Sequence, residues 1–468
     1  MTLEGVLQAV VIACAIYLAF VYMAYMGLAV LGIAESVRWR NQAELEDFAT
    51  LGNSRFTPPV SVVLTAYEEE TLVVPAAESL VDLDYPAFDL IIVNDGSSDE
   101  TLARLIEAFE LVPTQAESRN VVATERIRGY YRSPKVPRLL VVDKENGGKA
   151  DALNCGVNHA RHQFVCGVDA DSVFVRNSLL RVMREFTRDP RVVGLTGFVA
   201  LARDPACRAG DPPGRRGVDR SPFICFQTLD YLRSFLANRV GWSRMHFMLC
   251  AIGAFQIWRR DLCDELGGFS RDHTCEDIEF TFRVHQRMLK LGRDYRILCL
   301  PDHVSTTEGP NTAKKLVSQR ERWHRVTLET FWTFRRMLLN PRYGTVGLLG
   351  MPFFLAAEVL APLFEAATVI VLVVGFAFGL LDWQLVAIVA TVIALLNASL
   401  SAAALIAAET QARTYRSSAI AWLLVLAPFE LFFYRPVVGW ARVKGTWRVL
   451  RRDKSWERFE RNARSMAA

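Results

Sequence analysis

The sequence predicts an α/β domain built on a parallel sheet and flanked by transmembrane helices. Three observations carry this reading. Short apolar runs alternate with helical patterns through the middle of the chain, charge-free stretches of bilayer length lie towards both ends, and polar residues gather where the apolar runs stop. Composition agrees. Of 468 residues 51% are hydrophobic, high for a wholly soluble enzyme, while 22% are charged, too many for a chain that is all membrane.

The first apolar stretch, Val6 to Ala34, contains no charge. A bilayer core needs ~20 residues of helix, so this stretch spans with length to spare. No basic segment precedes it, which argues against a cleaved signal peptide. Arg38 and Arg40 follow it and Glu4 precedes it, so the positive-inside rule puts the following domain in the cytosol.

The predicted strands come next. Val60–Leu64 is a largely β-branched run, followed by a polar turn and a helical pattern to about Leu83. Leu90–Val93 ends in Asn94-Asp95-Gly96-Ser97, after which Asp99 is placed to cap a helix through Phe109 with Glu100 in its first turn. Leu139–Val142 is the third strand, and Lys149 opens a helix to about Ala160. Phe164–Val168 is the fourth, ending in Asp169-Ala170-Asp171. In open α/β sheets ligands bind outside the carboxyl ends of the strands, so Ala66–Glu70, Asp95, Asn146–Lys149 and Asp169–Asp171 are expected to converge. Asp204–Ser221, rich in Gly, Pro, Arg and Asp, reads as a surface insert.

Several of these residues suit particular chemistry, and each has a plainer reading beside it. Asp169 and Asp171 are hard oxygen ligands suited to Mg²⁺ or Mn²⁺, or they belong to a solvated turn. Asp95 could accept hydrogen bonds from a base or ribose, or serve an ordinary Asp-Gly-Ser turn. Asn146-Gly147-Gly148-Lys149 opens a helix and favours phosphate, although the spacing is not a P-loop. Glu276 and Asp277 begin a helical run to Leu291 that Gly292 ends. They could complement the helix dipole or supply a general base. Gln319-Arg320-Glu321-Arg322-Trp323 could meet a diphosphate and a sugar face, or form an interfacial amphipathic helix.

A second apolar block runs from about Gly344 to Trp440, with segments near Pro352–Leu381, Leu385–Ala408 and Ala419–Trp440. Three plain crossings would put the strongly basic tail from Arg435 to Arg464 outside the cell, against the positive-inside rule. Either Gly344–Leu381 is a hairpin bent at Pro362, or Ala419–Trp440 is re-entrant or interfacial. The nine cysteines are scattered without a CxxC pair, which fits a reducing compartment. A net charge of +4, with basic clusters near the membrane ends, points to lipid headgroups and not to nucleic acid.

In this order the segments VVLTAYEEE (Val62–Glu70), VNDGSSD (Val93–Asp99), NGGKADALN (Asn146–Asn154), DADS (Asp169–Ser172), Glu276-Asp277 and QRERW (Gln319–Trp323) resemble the family 2 glycosyltransferases. The likeness is to the processive membrane synthases, poly-N-acetylglucosamine synthases above all, with hyaluronan and cellulose synthases as cousins. It covers about Pro59 to Arg325. The resemblance implies a GT-A, Rossmann-like cytosolic domain in a multi-pass inner-membrane protein. Its divisions are 1–36 (transmembrane helix), 56–325 (transferase), 326–343 (interfacial helix), 344–440 (three or four membrane segments) and 441–468 (basic cytosolic tail).

The resemblance also implies roles. Ala66, Tyr67, Glu69 and Asp95 line the uridine pocket, Lys149 contacts the nucleotide, and Asp171 with Asp169 holds Mg²⁺ or Mn²⁺ at the diphosphate. Asp277 is the catalytic base, with Glu276 beside it, and Gln319, Arg322 and Trp323 sit at the diphosphate and the acceptor end. The implied activity is inverting, metal-dependent transfer from a UDP-sugar, UDP-N-acetylglucosamine first, to elongate a polysaccharide coupled to export, with room for accessory export subunits. Transfer of one sugar to a lipid carrier and a non-catalytic nucleotide-binding role are the alternatives. The family usually reads Thr-Glu-Asp where Cys275 here separates Thr274 from Glu276.

Overall fold

The computed structural model describes residues 3–45, 57–201, 218–219, 221–412 and 415–451. Except for three positions (218, 219 and 221), the predicted Asp204–Ser221 insert lies outside the described residues, as does the tail beyond residue 451.

Ten strands form one sheet: β1 (Val60–Ala66), β2 (Phe88–Asp95), β3 (Val112–Thr114), β4 (Ile127–Arg132), β5 (Leu139–Lys144), β6 (Phe164–Asp169), β7 (Ser172–Phe174), β8 (Val192–Leu201), β9 (Phe255–Arg259) and β10 (Arg296–Thr307). Their order is β3-β4-β5-β2-β1-β6-β9-β8-β10-β7. The four predicted strands are β1, β2, β5 and β6. They pair in parallel at the centre, with Thr65 beside both Val93 and Asp169. They are almost wholly buried because helices cover both faces, which is why each reads as a continuous apolar run.

The sheet as a whole is mixed, which corrects the all-parallel expectation. β4 runs antiparallel to β5, and β9 antiparallel to both β6 and β8. These strands escape a search for apolar runs followed by helices. β3 carries Pro113 at the sheet edge, where a missing N–H costs nothing, and β10 is interrupted by shifts of register around His303.

From β1 the chain moves outward to β2 and β5, then returns to place β6 on the other side of β1. The crevice between the ends of β1 and β6 is therefore the switch point at which such sheets bind ligands. The helix after β2 starts later than expected, at Thr101, with Glu100 as its cap residue. Asp99 instead closes a turn, its carboxylate accepting from the Thr101 N–H at 3.0 Å and hydroxyl at 2.6 Å.

Gly5–Glu44, Val346–Ala377 and Trp383–Gln411 are each long and apolar enough to cross a membrane. Ser417–Phe433 and Arg435–Leu450 qualify only as a pair, bent by 44°. Helical structure continues through Pro362 from Val346 to Ala377, so the hairpin alternative for Gly344–Leu381 does not occur. The expected division at residues 325/326 falls inside a single helix, Ala313–Phe334, and no separate helix spans 326–343.

The N-terminal helix is packed onto the domain. A side chain at Gly32 would strike the Leu236 carbonyl, and one at Gly241 would come within 2.7 Å of the Leu28 carbonyl, so both backbones approach as closely as glycine allows. Asp302 on β10 accepts from the Trp39 indole and, at 3.3 Å, from Gln411. This ties the ends of two apolar helices to the sheet.

Candidate active site

The strand ends open into one cavity of about 1020 Å³. Every site residue predicted from the sequence lines it except Glu276, which packs behind Lys149. The cavity continues past Trp323 to Tyr22 of the N-terminal helix and to Ala357 and Glu365 of the Val346–Ala377 helix.

At the strand ends the β1 and β2 loops are laced together. Glu68 and Glu69 donate their backbone N–H groups to Ser97 Oγ at 3.0 Å and Thr101 Oγ1 at 2.9 Å. Asp95 does more than make a turn. Its carboxylate accepts from Lys144 Nζ at 2.5 Å and from the Gly147 and Gly148 N–H groups at 3.1 and 2.8 Å, so it cradles the glycine loop.

Lys144 is the residue sequence reasoning missed here. It is fully buried and also meets Asp151, itself buried, at 2.6 Å. Burial pulls its ammonium down, but the hydrogen bonds it donates to Asp151 and Asp95 outweigh that and leave its pKa raised. The available signal was a lysine ending an apolar strand with Asp151 seven positions on, too weak a pattern to find it.

Lys149 Nζ lies 2.7 Å from Asp169 Oδ1 and 2.9 Å from Glu276 Oε1. Its pKa is well above the usual range. Burial works against the charge, but Asp169, Glu276 and Asp277 together override it. Asp169 is pushed up to about 6, first by burial and then by Asp171, with Lys149 opposing. Asp171 Oδ1 accepts from the Ser172 and Thr307 hydroxyls, both at 3.3 Å. No group of three or more His, Cys, Asp or Glu side chains suited to a metal occurs among the described residues. The two carboxylates on the cavity wall still fit a hard divalent cation, which would take its remaining ligands from water or a bound phosphate.

Asp277 sits in the first turn of the Glu276–Lys290 helix. Its Oδ2 accepts from the Gly253 N–H at 2.8 Å, and its Oδ1 from the Ile278 N–H at 2.6 Å and the Cys275 thiol at 3.1 Å. Cys275, the departure from the family pattern, thus acts as a third donor. Burial first, then Asp277 and Glu276, hold its thiol protonated. Gly253 was also missed. A Cβ there would lie 2.7 Å from Lys149 Nζ and 3.0 Å from Glu276 Oε1, so only glycine brings its N–H to Asp277 without displacing the lysine.

On the far wall Gln319, Arg322 and Trp323 project from the middle of the Ala313–Phe334 helix, and Trp323 is 40% exposed. Arg320, not singled out from the sequence, is buried. It pairs with Asp230 at 2.8 Å and covers the Trp323 ring at 4.2 Å.

A mixed sheet with acids and a lysine at its switch point, and a carboxylate held opposite them, defines the class. Residues 61–206 match the family model described as Glycosyl transferase family 2, and residues 164–398 match Glycosyl transferase family group 2. The chain belongs to the family 2 glycosyltransferases. Among curated relatives it is 26% identical over 279 residues to a poly-beta-1,6-N-acetyl-D-glucosamine synthase of Staphylococcus epidermidis, covering 58% of this chain and 57% of that one. It is 25% identical over 294 residues to the synthase of the same name from Staphylococcus aureus, covering 61% and 59%. The chain thus spans less than two thirds of the length of these relatives. A mannosyltransferase from Pyrobaculum calidifontis, solved with GDP-Man and Mn²⁺, superposes with a TM-score of 0.54 at 19% identity, covering 96% of this chain and all of that one. That likeness bears out the GT-A fold, and the apolar helices make the protein membrane-associated.

Proposed function

We propose that the chain transfers a sugar from a UDP-sugar, UDP-N-acetylglucosamine first, to the end of a growing polysaccharide, with inversion at the anomeric carbon. One observation carries this reading. The cavity that holds Asp277 and the strand-end acids also reaches between the apolar helices at Tyr22, Ala357 and Glu365, so it has room for a product that lengthens beyond the site. The named activity of the staphylococcal relatives supports the donor and the polymer. Arg38 and Arg40, near the C-terminal end of the first apolar helix, support a cytosolic domain.

In this mechanism the Asp277 carboxylate takes the proton from the acceptor hydroxyl as that oxygen attacks the anomeric carbon. The bond to the diphosphate breaks on the opposite face, UDP leaves, and an α-linked donor gives a β-linked product. Asp171 and Asp169 would hold a divalent cation, whose chemistry is to offset the charge developing on the departing diphosphate. Lys149 and the glycine loop that Asp95 cradles hold the nucleotide, Arg322 meets the diphosphate, and Trp323 stacks on the acceptor.

Release of UDP, measured on the purified full-length protein in lipid, tests the reading. UDP-N-acetylglucosamine is expected to turn over in preference to UDP-glucose, UDP-glucuronate and GDP-mannose, and product sizing is expected to show polymer. A single-sugar lipid product would replace the polymer reading. Asp277→Asn is expected to lower turnover by roughly 10²–10⁴-fold with UDP affinity intact. Retained turnover would remove Asp277 from its role.

A further inference from the structure

The Trp323 platform is held by buried charges that no assignment of the QRERW segment explains. Arg320 lies over one face of the indole, 4.2 Å from the ring centroid, and is 7% exposed. At that distance the guanidinium plane both attracts the ring and limits its rotation. Arg320 is itself held. Asp230 pairs with it at 2.8 Å, and the Tyr434 hydroxyl accepts from it at 3.2 Å while donating to Asp230 at 3.2 Å.

Asp230 has a second cationic neighbour, Arg233, at 3.5 Å. Arg233 donates through both terminal nitrogens to Glu430, each at 2.6 Å, and Glu430 also meets Arg435 at 3.2 Å. A continuous chain of charge, buried at Arg320, Arg233 and Glu430 and half-buried at Asp230 and Arg435, therefore runs from the indole to the bent helix pair. Its cost is large unless every member is satisfied, and here each is paired. The stretch that carries Arg233, Arg233–Arg239, is a π-helical widening, a distortion that concentrates at functional sites.

Resting on the transferase reading above, we infer that Arg320, held by Asp230, is a positioning residue for the acceptor. It sets the plane of Trp323, so that the sugar stacking on the open face of the indole presents its hydroxyl towards Asp277. Lysine cannot replace it, because an ammonium has no plane to lay on the ring.

Binding of a short β-linked N-acetylglucosamine oligosaccharide to the full-length protein tests this, with binding of UDP measured alongside. Arg320→Lys and Trp323→Phe are each expected to weaken the oligosaccharide about tenfold. The double variant is expected to be no weaker than the worse single one, since the two residues act as one unit. UDP affinity is expected to stay at the wild-type value in all three, which also certifies the fold. Asp230→Asn, a change of charge without change of size, is expected to weaken the oligosaccharide in the same direction and serves if Arg320→Lys does not fold. Additive losses, an equal loss of UDP affinity, or wild-type oligosaccharide binding in Arg320→Lys would each overturn the assignment. So would a wild type that releases UDP from its donor yet does not bind the oligosaccharide. Coupled binding losses in a protein that never turns over a UDP-sugar would sink the transfer reading and leave the positioning role standing.

Discussion

The two walls of the cavity are built differently. On the wall proposed to hold the nucleotide, the partners of Asp95 are the nearer in sequence. Asp95 meets Lys144, Gly147 and Gly148 across separations of 49, 52 and 53 residues, and adjacent parallel strands already bring those loops together. On the wall proposed to hold the acceptor, Arg233 and Glu430 are 197 residues apart and Asp230 and Tyr434 are 204 apart, joined only because helices from distant parts of the chain pack together. Sheet register supplies the first wall with its geometry. Buried ion pairs must supply the second, and such pairs orient more than they stabilise.

The sharpest way to break this comparison is to remove one buried cation from each wall. Lys144→Met leaves Asp95 without its counter-charge and Asp151 with Arg271 as its remaining ionic partner, and Arg233→Met leaves Glu430 with Arg435 as its own. Each is expected to cost about 3–5 kcal/mol, read as a lowered Tm. Only the lysine variant is expected to lose UDP binding, because only Asp95 holds the glycine loop. Loss of UDP binding in both would erase the distinction between the walls.

A smaller effect sharpens the sheet side. His285, behind the Asp277 helix turn, bonds to the Met248 carbonyl and the Tyr295 hydroxyl at 2.5 Å each, and burial holds it down at about 4. Its folded pKa lies below the unfolded value of about 6.5, so the unfolded chain takes up the proton first as pH falls. Stability is expected to decline from about pH 6.5 to 4, by up to about 3 kcal/mol, and to level off below. His285→Gln is expected to have a lower Tm near neutrality but a flatter profile of Tm against pH. An unchanged slope would remove His285 as its source.

The smallest expected effect is Gly253→Ala, about a tenfold loss of turnover with UDP binding kept, since Lys149 must shift by a few tenths of an ångström and the N–H to Asp277 with it. Unchanged turnover would mean that Asp277, the proposed base, tolerates a looser hold than its three donors suggest.

Much of the strand-end wall was legible in the sequence. Val60–Leu64, Leu90–Val93, Leu139–Val142 and Phe164–Val168 are all strands, and Asp95, Lys149, Asp169 and Asp171 meet at their ends. Parallel strands buried on both faces must be apolar throughout, and the polar residues that stop them mark the ligand edge. Lys144 was not legible, because its burial depends on Asp151 arriving from the next helix. Nor was Gly253, whose role exists only where the β9 approach loop meets the Asp277 turn.

By itself, then, the amino-acid order determined the apolar spans, the four central strands and the acids at their ends, since each follows from local periodicity and the limits of burying polar groups. Tertiary structure alone decided that the sheet is mixed, that the QRERW helix continues unbroken to Phe334, and that Arg320 is turned inward onto Trp323 while Arg322 lines the cavity. The sheet depends on which strands pair across the fold and Arg320 on Asp230 and Tyr434 from other helices, and no local pattern encodes partners that far along the chain.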